Sequence, residues 1–139
     1  MIMSKLRQKS TFNIDAAGIL LTKNLYAPSV HCSYYSCFQL LKYTINNFFG
    51  IDYETLKGDI ANTKPHKGTH QYVINFIYTE LYSLTSFRES RIFKRKINDL
   101  KQFRTESDYE EKEVLLDKGN KAYELAKEIR TYVIKNFKV

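Results

Sequence analysis

The chain has 139 residues, the length of one ordinary domain, which can bury a sufficient core without disulfide or metal cross-links. Only two prolines and five glycines accompany a hydrophobic content of 43%, which is typical of long helices and excludes both a disordered chain and a turn-rich β architecture. The formal charge of +7, from 22 basic and 15 acidic residues, is compatible with an anionic partner but does not require one.

The first predicted helix has Ser10 as its N-cap and ends near Asn24. The second is predicted from Ser29 to Phe49, because Pro28 cannot continue the first helix and Ser29 is a competent cap. Gly50 is the expected C-terminal cap of the second helix. The apolar face of the first helix contains Ile14, Ala17 and Leu21 beside Leu20, and that of the second contains Val30, Tyr34, Phe38, Leu41, Ile45 and Phe48.

Residues 51–63 are ambiguous, with a short helical turn possible after Asp52, and residues 63–68 are predicted to form a loop. A third helix is predicted from near Thr69 and ends at residues 85–86. Its core face contains Val73, Ile77, Leu81 and Leu84.

A fourth helix is predicted to follow at once, because residues 86–89 form a capping box. The last helix is predicted from Ser107, through a second capping box with Glu110, towards Phe137. The inward residues of the fourth helix are Phe93, Ile97, Leu100 and Phe103, and those of the last are Leu115, Gly119, Ala122, Ala126, Ile129, Val133 and Phe137.

These patterns predict an all-α fold: one domain over residues 1–139, built as an antiparallel up-and-down bundle of four main helices plus a short extra helix. Cys32 and Cys37 are about 8 Å apart in one helix, too far for a disulfide, so we expect reduced core thiols. No apolar run reaches the roughly 18 residues of a membrane span, and the N-terminus lacks a secretory signal, so we expect a cytoplasmic protein without membrane contact. The small residues of the last helix and the many aromatic residues predict a homodimer.

The basic residues of the fourth helix form a predicted outer face. This face is either solvated and paired at i,i+4 spacing, or a phosphate-binding surface. Its seven members within residues 85–105 are Arg88, Arg91, Lys94, Arg95, Lys96, Lys101 and Arg104, against two acids.

Residues 103–109 are predicted to join the fourth helix to the last. Arg104 there can pair with Asp108 or bind an anion such as phosphate. His66 and His70 have a spacing that suits a metal, but no accompanying carboxylate pattern is present, so no metal site is predicted. The chain has no glycine-rich phosphate loop and no nucleophile elbow.

Three segments resemble prokaryotic HEPN domains. Residues 27–38 (APSVHCSYYSCF) look like their Ala/Ser-rich tyrosine-pair helix. Residues 64–69 (KPHKGT) are similar to the H-x-G turn of one poorly characterised branch, and residues 104–109 (RTESDY) resemble the R-x-x-x-D-Y element of that branch. The three segments occur in the expected order.

The resemblance implies a helical bundle, usually a homodimer. Many HEPN proteins are metal-independent RNases or belong to toxin–antitoxin and defence modules, often beside a small nucleotidyltransferase. In the RNases, an arginine binds the scissile phosphate, and a histidine separated from it by four to six intervening residues moves the proton. Arg104 matches the arginine, but Tyr109, preceded by Asp108, stands where the shortest motif has histidine, and a phenol is a poor base at neutral pH.

Three hypotheses remain open. The first is a catalytically degenerate module that binds RNA or a nucleotide and acts with a partner protein. The second is a metal-independent RNase toxin in which Asp108, Tyr109 or His31 transfers the proton, and the third is a structural dimerisation module. No cofactor is expected, and the residues expected to converge on the site are Arg104, Asp108, Tyr109, Tyr35, His31 and Lys101.

Overall fold

The computed structural model describes residues 4–64 and 68–139, and within them the regular structure is entirely helical. This confirms the all-α prediction. The six helices are α1 (Lys5–Thr22), α2 (Tyr26–Phe49), α3 (Tyr53–Asn62), α4 (Gly68–Leu84), α5 (Phe87–Tyr109) and α6 (Leu116–Phe137). Five of the helices in the described residues are 17 to 24 residues long, and α3 has ten. Each of the five helices predicted in chain order is present, so the total of four main helices given for the bundle was one too few.

The first two helices begin earlier than predicted, because the serines expected to cap them are buried between them. The N-cap of α1 is Ser4, whereas the Ser10 hydroxyl donates to the Ser36 carbonyl at 2.6 Å. In α2 the Ser29 hydroxyl donates to the Ala17 carbonyl at 2.8 Å. Pro28 lies in the first turn of α2, where no amide is needed for the helical ladder.

Three other predicted helix ends are confirmed. Gly50 caps α2 in the left-handed conformation, with φ of 69°. Asp52 accepts a hydrogen bond from the Thr55 amide at 2.7 Å and begins a ten-residue helix rather than a single turn. Ser86 accepts from the Glu89 amide at 3.1 Å and begins α5.

The predicted junction at residues 103–109 is wrong. Helix α5 continues through Tyr109, and α6 begins only at Leu116. Side-chain contacts one turn apart favour this continuation, among them the hydrogen bond from Gln102 to Glu106 at 3.1 Å. Ser107 is therefore no cap; its hydroxyl is buried without a hydrogen-bond partner among the described residues.

Helix α2 lies at the centre of the fold and contacts α1, α4, α5 and α6. Its inward residues join those of α4, α5 and α6 in one core. The small-residue face of α6 packs within the same chain, since the Cys37 thiol donates to the Ala126 carbonyl at 3.5 Å. One of the two features that suggested a homodimer, the small-residue face of α6, is thus accounted for by the contact between α2 and α6. Three residues assigned to apolar faces are instead exposed: Phe48, Leu84 and Leu115.

Both cysteines are free thiols. Cys37 is buried, and burial raises the pKa of its thiol to about 12, whereas Cys32 is half-buried. Among the described residues, no helix combines the length and apolar character that crossing a bilayer requires.

Two glycines allow a paired test of backbone conformation. Gly50 has a positive φ that disfavours a side chain, whereas Gly58 lies inside α3, and a Cβ at either position meets no other atom within 4 Å. We expect Gly50→Ala to lower the free energy of unfolding by about 1 kcal/mol and Gly58→Ala to raise it by about 0.5–1 kcal/mol. Chemical denaturation measures both, and the same sign for the two variants would contradict the assigned cap.

Candidate functional site

The candidate site is centred on Arg104, in the last two turns of α5. Arg104 is only 8% exposed, although its guanidinium carries a full charge. Its Nη1 lies 3.8 Å from the Asp108 carboxylate and donates to the Tyr109 hydroxyl at 3.4 Å. Its Nε is buried and has no hydrogen-bond partner among the described residues. A buried cation with an unused donor is costly unless something else binds it.

Aromatic rings surround the guanidinium of Arg104. Its central carbon lies 5.2 Å from the ring centre of Tyr34, 5.6 Å from that of Tyr35 and 5.6 Å from that of Tyr109. Ring faces attract a cation without forming hydrogen bonds in its plane. The guanidinium is therefore held in position, while its Nε forms no hydrogen bond to any described residue.

His31 and Asp108 form a hydrogen-bonded pair beside this arginine. The Nδ1 atom of His31 lies 2.8 Å from Oδ2 of Asp108, and the His31 and Tyr35 ring centroids are 4.6 Å apart. The imidazole is half-exposed and the carboxylate is largely buried. Because a carboxylate oxygen accepts, Nδ1 carries the proton of this hydrogen bond, and the other ring nitrogen, Nε2, takes no part in the pair.

His70, on α4, is a site residue that sequence reasoning missed. Its ring stacks on Phe38 at 4.1 Å between centroids, and its Nδ1 lies 2.7 Å from the Tyr34 hydroxyl. Burial, and then the charges of Arg104, Lys101 and Lys42, lower the pKa of His70 to about 4, while burial raises the pKa of Tyr34. Both groups are thus neutral at neutral pH. The resemblance of the tyrosine pair to HEPN domains was the sequence feature that could have placed Tyr34 at the site. For His70 the only such feature was its spacing from His66, a residue that lies outside the described residues.

The site carries more positive than negative charge. Lys101 donates to the Gln71 side chain at 3.3 Å, and its pKa is lowered by burial and then by the charge of Arg104. Two cations as close as Lys101 and Arg104 together attract an anion. The backbone acts the other way, because residues 104–109 form the C-terminal end of α5, where the helix dipole is negative.

All six residues expected at the site lie near one another, although the helix junction that was to assemble them does not exist. His31 and Tyr35 come from α2, and Lys101, Arg104, Asp108 and Tyr109 come from α5. Tyr109 is 75% exposed and forms the outer wall. Among the described residues, no cluster of three or more His, Cys, Asp or Glu side chains could hold a metal ion.

A groove of about 620 Å³ lies elsewhere, between α5 and α6. Its lining is mostly apolar, with Phe93, Ile129 and Tyr132, and the Lys96–Glu128 ion pair of 2.9 Å lies at its edge. The groove lacks the convergent buried polar groups that mark a reactive site. We therefore assign the candidate site to Arg104 rather than to this groove.

The lowered pKa of His70 predicts a pH-dependent contribution to stability. An unfolded histidine binds its proton near pH 6.5, whereas folded His70 does so only near pH 4. This contribution is fully present above pH 6.5 and is lost as the pH falls from about 6.5 to about 4, because only the unfolded chain gains the proton there. We expect His70→Gln to show a flatter loss of unfolding free energy over that interval.

Denaturation of both proteins at several pH values measures this difference, since their carboxylates contribute equally and cancel. NMR titration of the His70 ring is the direct check. A ring that titrates near pH 6.5 in the folded protein would contradict the burial assigned to it.

Comparisons with known proteins give no match for this chain. No family model matches it, and no curated protein or solved structure matches it significantly. The site is therefore described by its own residues: an arginine against three aromatic rings, beside an imidazole–carboxylate pair.

Proposed function

We propose that this chain is a HEPN-like helical module that binds RNA or a nucleotide through Arg104 and is catalytically degenerate. The observation that carries the proposal is the state of that guanidinium. It is buried, its Nε has no partner among the described residues, and its nearest carboxylate oxygen is 3.8 Å away. A phosphate would supply the charge and acceptor atoms that this donor edge lacks.

The alternative of a purely structural ion pair has less support. A strong arginine–carboxylate hydrogen bond is about 2.7–2.9 Å long. The carboxylate oxygen of Asp108 nearest to Arg104 is already hydrogen-bonded to His31 at 2.8 Å. Asp108 therefore satisfies the histidine better than the arginine, which leaves Arg104 without a close anionic partner.

The biological setting of this proposal comes from the HEPN resemblance. We propose an antiparallel up-and-down bundle that forms a homodimer in the cytoplasm. It would act in a prokaryotic toxin–antitoxin or defence-type system with a small nucleotidyltransferase-like partner. The affinity for phosphate should be modest, because Asp108 and the C-terminal end of α5 oppose an anion while Arg104 and Lys101 attract it.

A second candidate function, a metal-independent endoribonuclease, is favoured by the His31–Asp108 pair. In such a reaction His31 Nε2 takes the proton of a ribose 2′-hydroxyl, whose oxygen attacks the adjacent phosphorus. The bond to the 5′-oxygen breaks, that oxygen takes a proton from water, and a 2′,3′-cyclic phosphate remains. Arg104 would stabilise the charge that develops on the phosphate oxygens.

Substitution of Arg104 tests phosphate binding. We expect Arg104→Gln to weaken binding of uridine monophosphate and of single-stranded RNA by about ten- to a hundredfold, because one charge-assisted contact is lost. Calorimetric titration measures the affinity. Unchanged binding in this variant would refute the role of Arg104.

Arg130 provides the matched control for that experiment. It is also 8% exposed, but it lies on α6 and contacts the Ser10 hydroxyl and the Ser36 carbonyl, away from the site. We expect Arg130→Gln to lower the melting temperature while nucleotide affinity stays unchanged. Equal loss of binding in both variants would show that Arg104→Gln acts through general destabilisation.

Incubation of the protein with single-stranded RNA in EDTA tests the second function. If the chain cleaves RNA, we expect Arg104→Gln and His31→Gln each to abolish formation of the cyclic phosphate. Tyr109→Phe should still form it, because His31, whose Nδ1 is held by Asp108, can transfer the proton through its other ring nitrogen. Loss in Tyr109→Phe with retention in His31→Gln would assign proton transfer to the phenol instead. No cleavage by the unmodified chain would leave the binding module as its function.

A further inference from the structure

A row of polar and basic residues follows the outer edge of α5 beside α4, and we call it the basic track: Arg91, Lys94, Asn98 and Lys101. Their spacing of three and four residues places them on one face of the helix. Two contacts show that this face borders α4. The ammonium of Lys94 lies 4.5 Å from the ring centre of Tyr78, and that of Lys101 lies 3.3 Å from the Gln71 side-chain oxygen.

The basic track is a hollow rather than a flat surface. Arg91, Lys94 and Asn98 line a depression of about 280 Å³ together with Tyr78 and Arg95. By helix geometry the track runs about 15 Å from Arg91 to Lys101. Lys101 is one turn from Arg104, so one end of the track reaches the candidate site.

The other end of the track carries two exposed aromatic rings, which we call the ring pair, Tyr82 and Phe87. They are 52% and 54% exposed, their centroids are 5.7 Å apart, and the guanidinium of Arg91 lies 5.3 Å from the ring centre of Phe87. Large rings left this exposed beside a cation offer planar faces to an incoming ligand.

No carboxylate neutralises the cations of the track. Among the described residues, none of Arg91, Lys94 and Lys101 takes part in an ion pair. Lys96 on the same helix does, with Glu128 of α6, but on the other side. The i,i+4 ion pairs that would accompany a solvated face are therefore not found for these three cations among the described residues.

We propose that the basic track and the ring pair bind single-stranded nucleic acid and lead its backbone to Arg104. The inference rests on the proposed function, because the track ends at that site. Charges in a row take successive phosphates, and exposed rings stack on unpaired bases, which a duplex does not offer. A narrow hollow between two helices fits a flexible strand better than a planar anionic bilayer.

The contribution of the track cations to binding is tested with the double variant Arg91→Gln/Lys94→Gln, which we call the track variant. The matched control is Lys23→Gln/Lys57→Gln, which removes the same charge from exposed positions on other parts of the chain. Fluorescence anisotropy of labelled single-stranded RNA at several salt concentrations measures binding. We expect the slope of log affinity against log salt to become shallower by about 1.4 in the track variant and to stay unchanged in the control.

Mononucleotide binding separates this proposal from the proposed function. We expect the track variant to bind uridine monophosphate as the unmodified chain does, since that contact belongs to Arg104. If the track variant binds RNA normally while Arg104→Gln does not, the track is refuted and the site stands. If Arg104→Gln binds both ligands normally, the proposed function fails instead.

The aromatic part is tested with Phe87→Ala, and Phe12→Ala is its control because Phe12 is a comparably exposed ring, 65%, on α1. We expect Phe87→Ala to weaken the binding of single-stranded RNA by a factor on the order of ten. The weaker binding of duplex RNA should stay unchanged. Heparin and anionic vesicles serve as polyanions without bases. If either binds as tightly as RNA and Phe87→Ala has no effect, the track is a general anionic docking surface and the proposal is overturned.

Discussion

The contact between α2 and α5 at Arg104 is the constraint on which the rest of the site depends. Its guanidinium lies against Tyr34 and Tyr35, so the two helices meet through a cation and aromatic faces rather than through aliphatic packing alone. This contact fixes the positions of His31 on α2 and Asp108 on α5. It also leaves a charged donor under the surface, so the same arginine is a structural element and, under the proposed function, the phosphate-binding group.

The division of Asp108 between two partners determines the chemistry of the site. Its carboxylate is at hydrogen-bonding distance from His31 and farther from Arg104. A carboxylate that orients an imidazole cannot also neutralise the arginine fully, and neighbouring Lys101 adds positive charge. His70 adds no charge to this balance, because its lowered pKa keeps its ring neutral at neutral pH.

Much of this arrangement could be predicted from local patterns, and the failures have physical reasons. Gly50, Asp52 and Ser86 were predictable because a cap depends on a few neighbouring residues. Ser10 and Ser29 were misread as caps because their hydroxyls bond to backbone carbonyls of another helix, a tertiary contact without a local signal. The role of His70 likewise depends on where α4 lies against α2, which no spacing along the chain encodes.

The misread helix end changes what kind of anion site can be proposed here. A helix N-terminus binds phosphate through several backbone amides, which no side-chain substitution removes. At the C-terminal end of α5 those amides are already bonded, as that of Glu110 is to the Glu106 carbonyl, and the dipole opposes an anion. Affinity must then come from side chains, chiefly one guanidinium with a lysine beside it. The single arginine therefore carries the site, and nearby cations outside it, such as those of the basic track, gain importance for holding a long ligand.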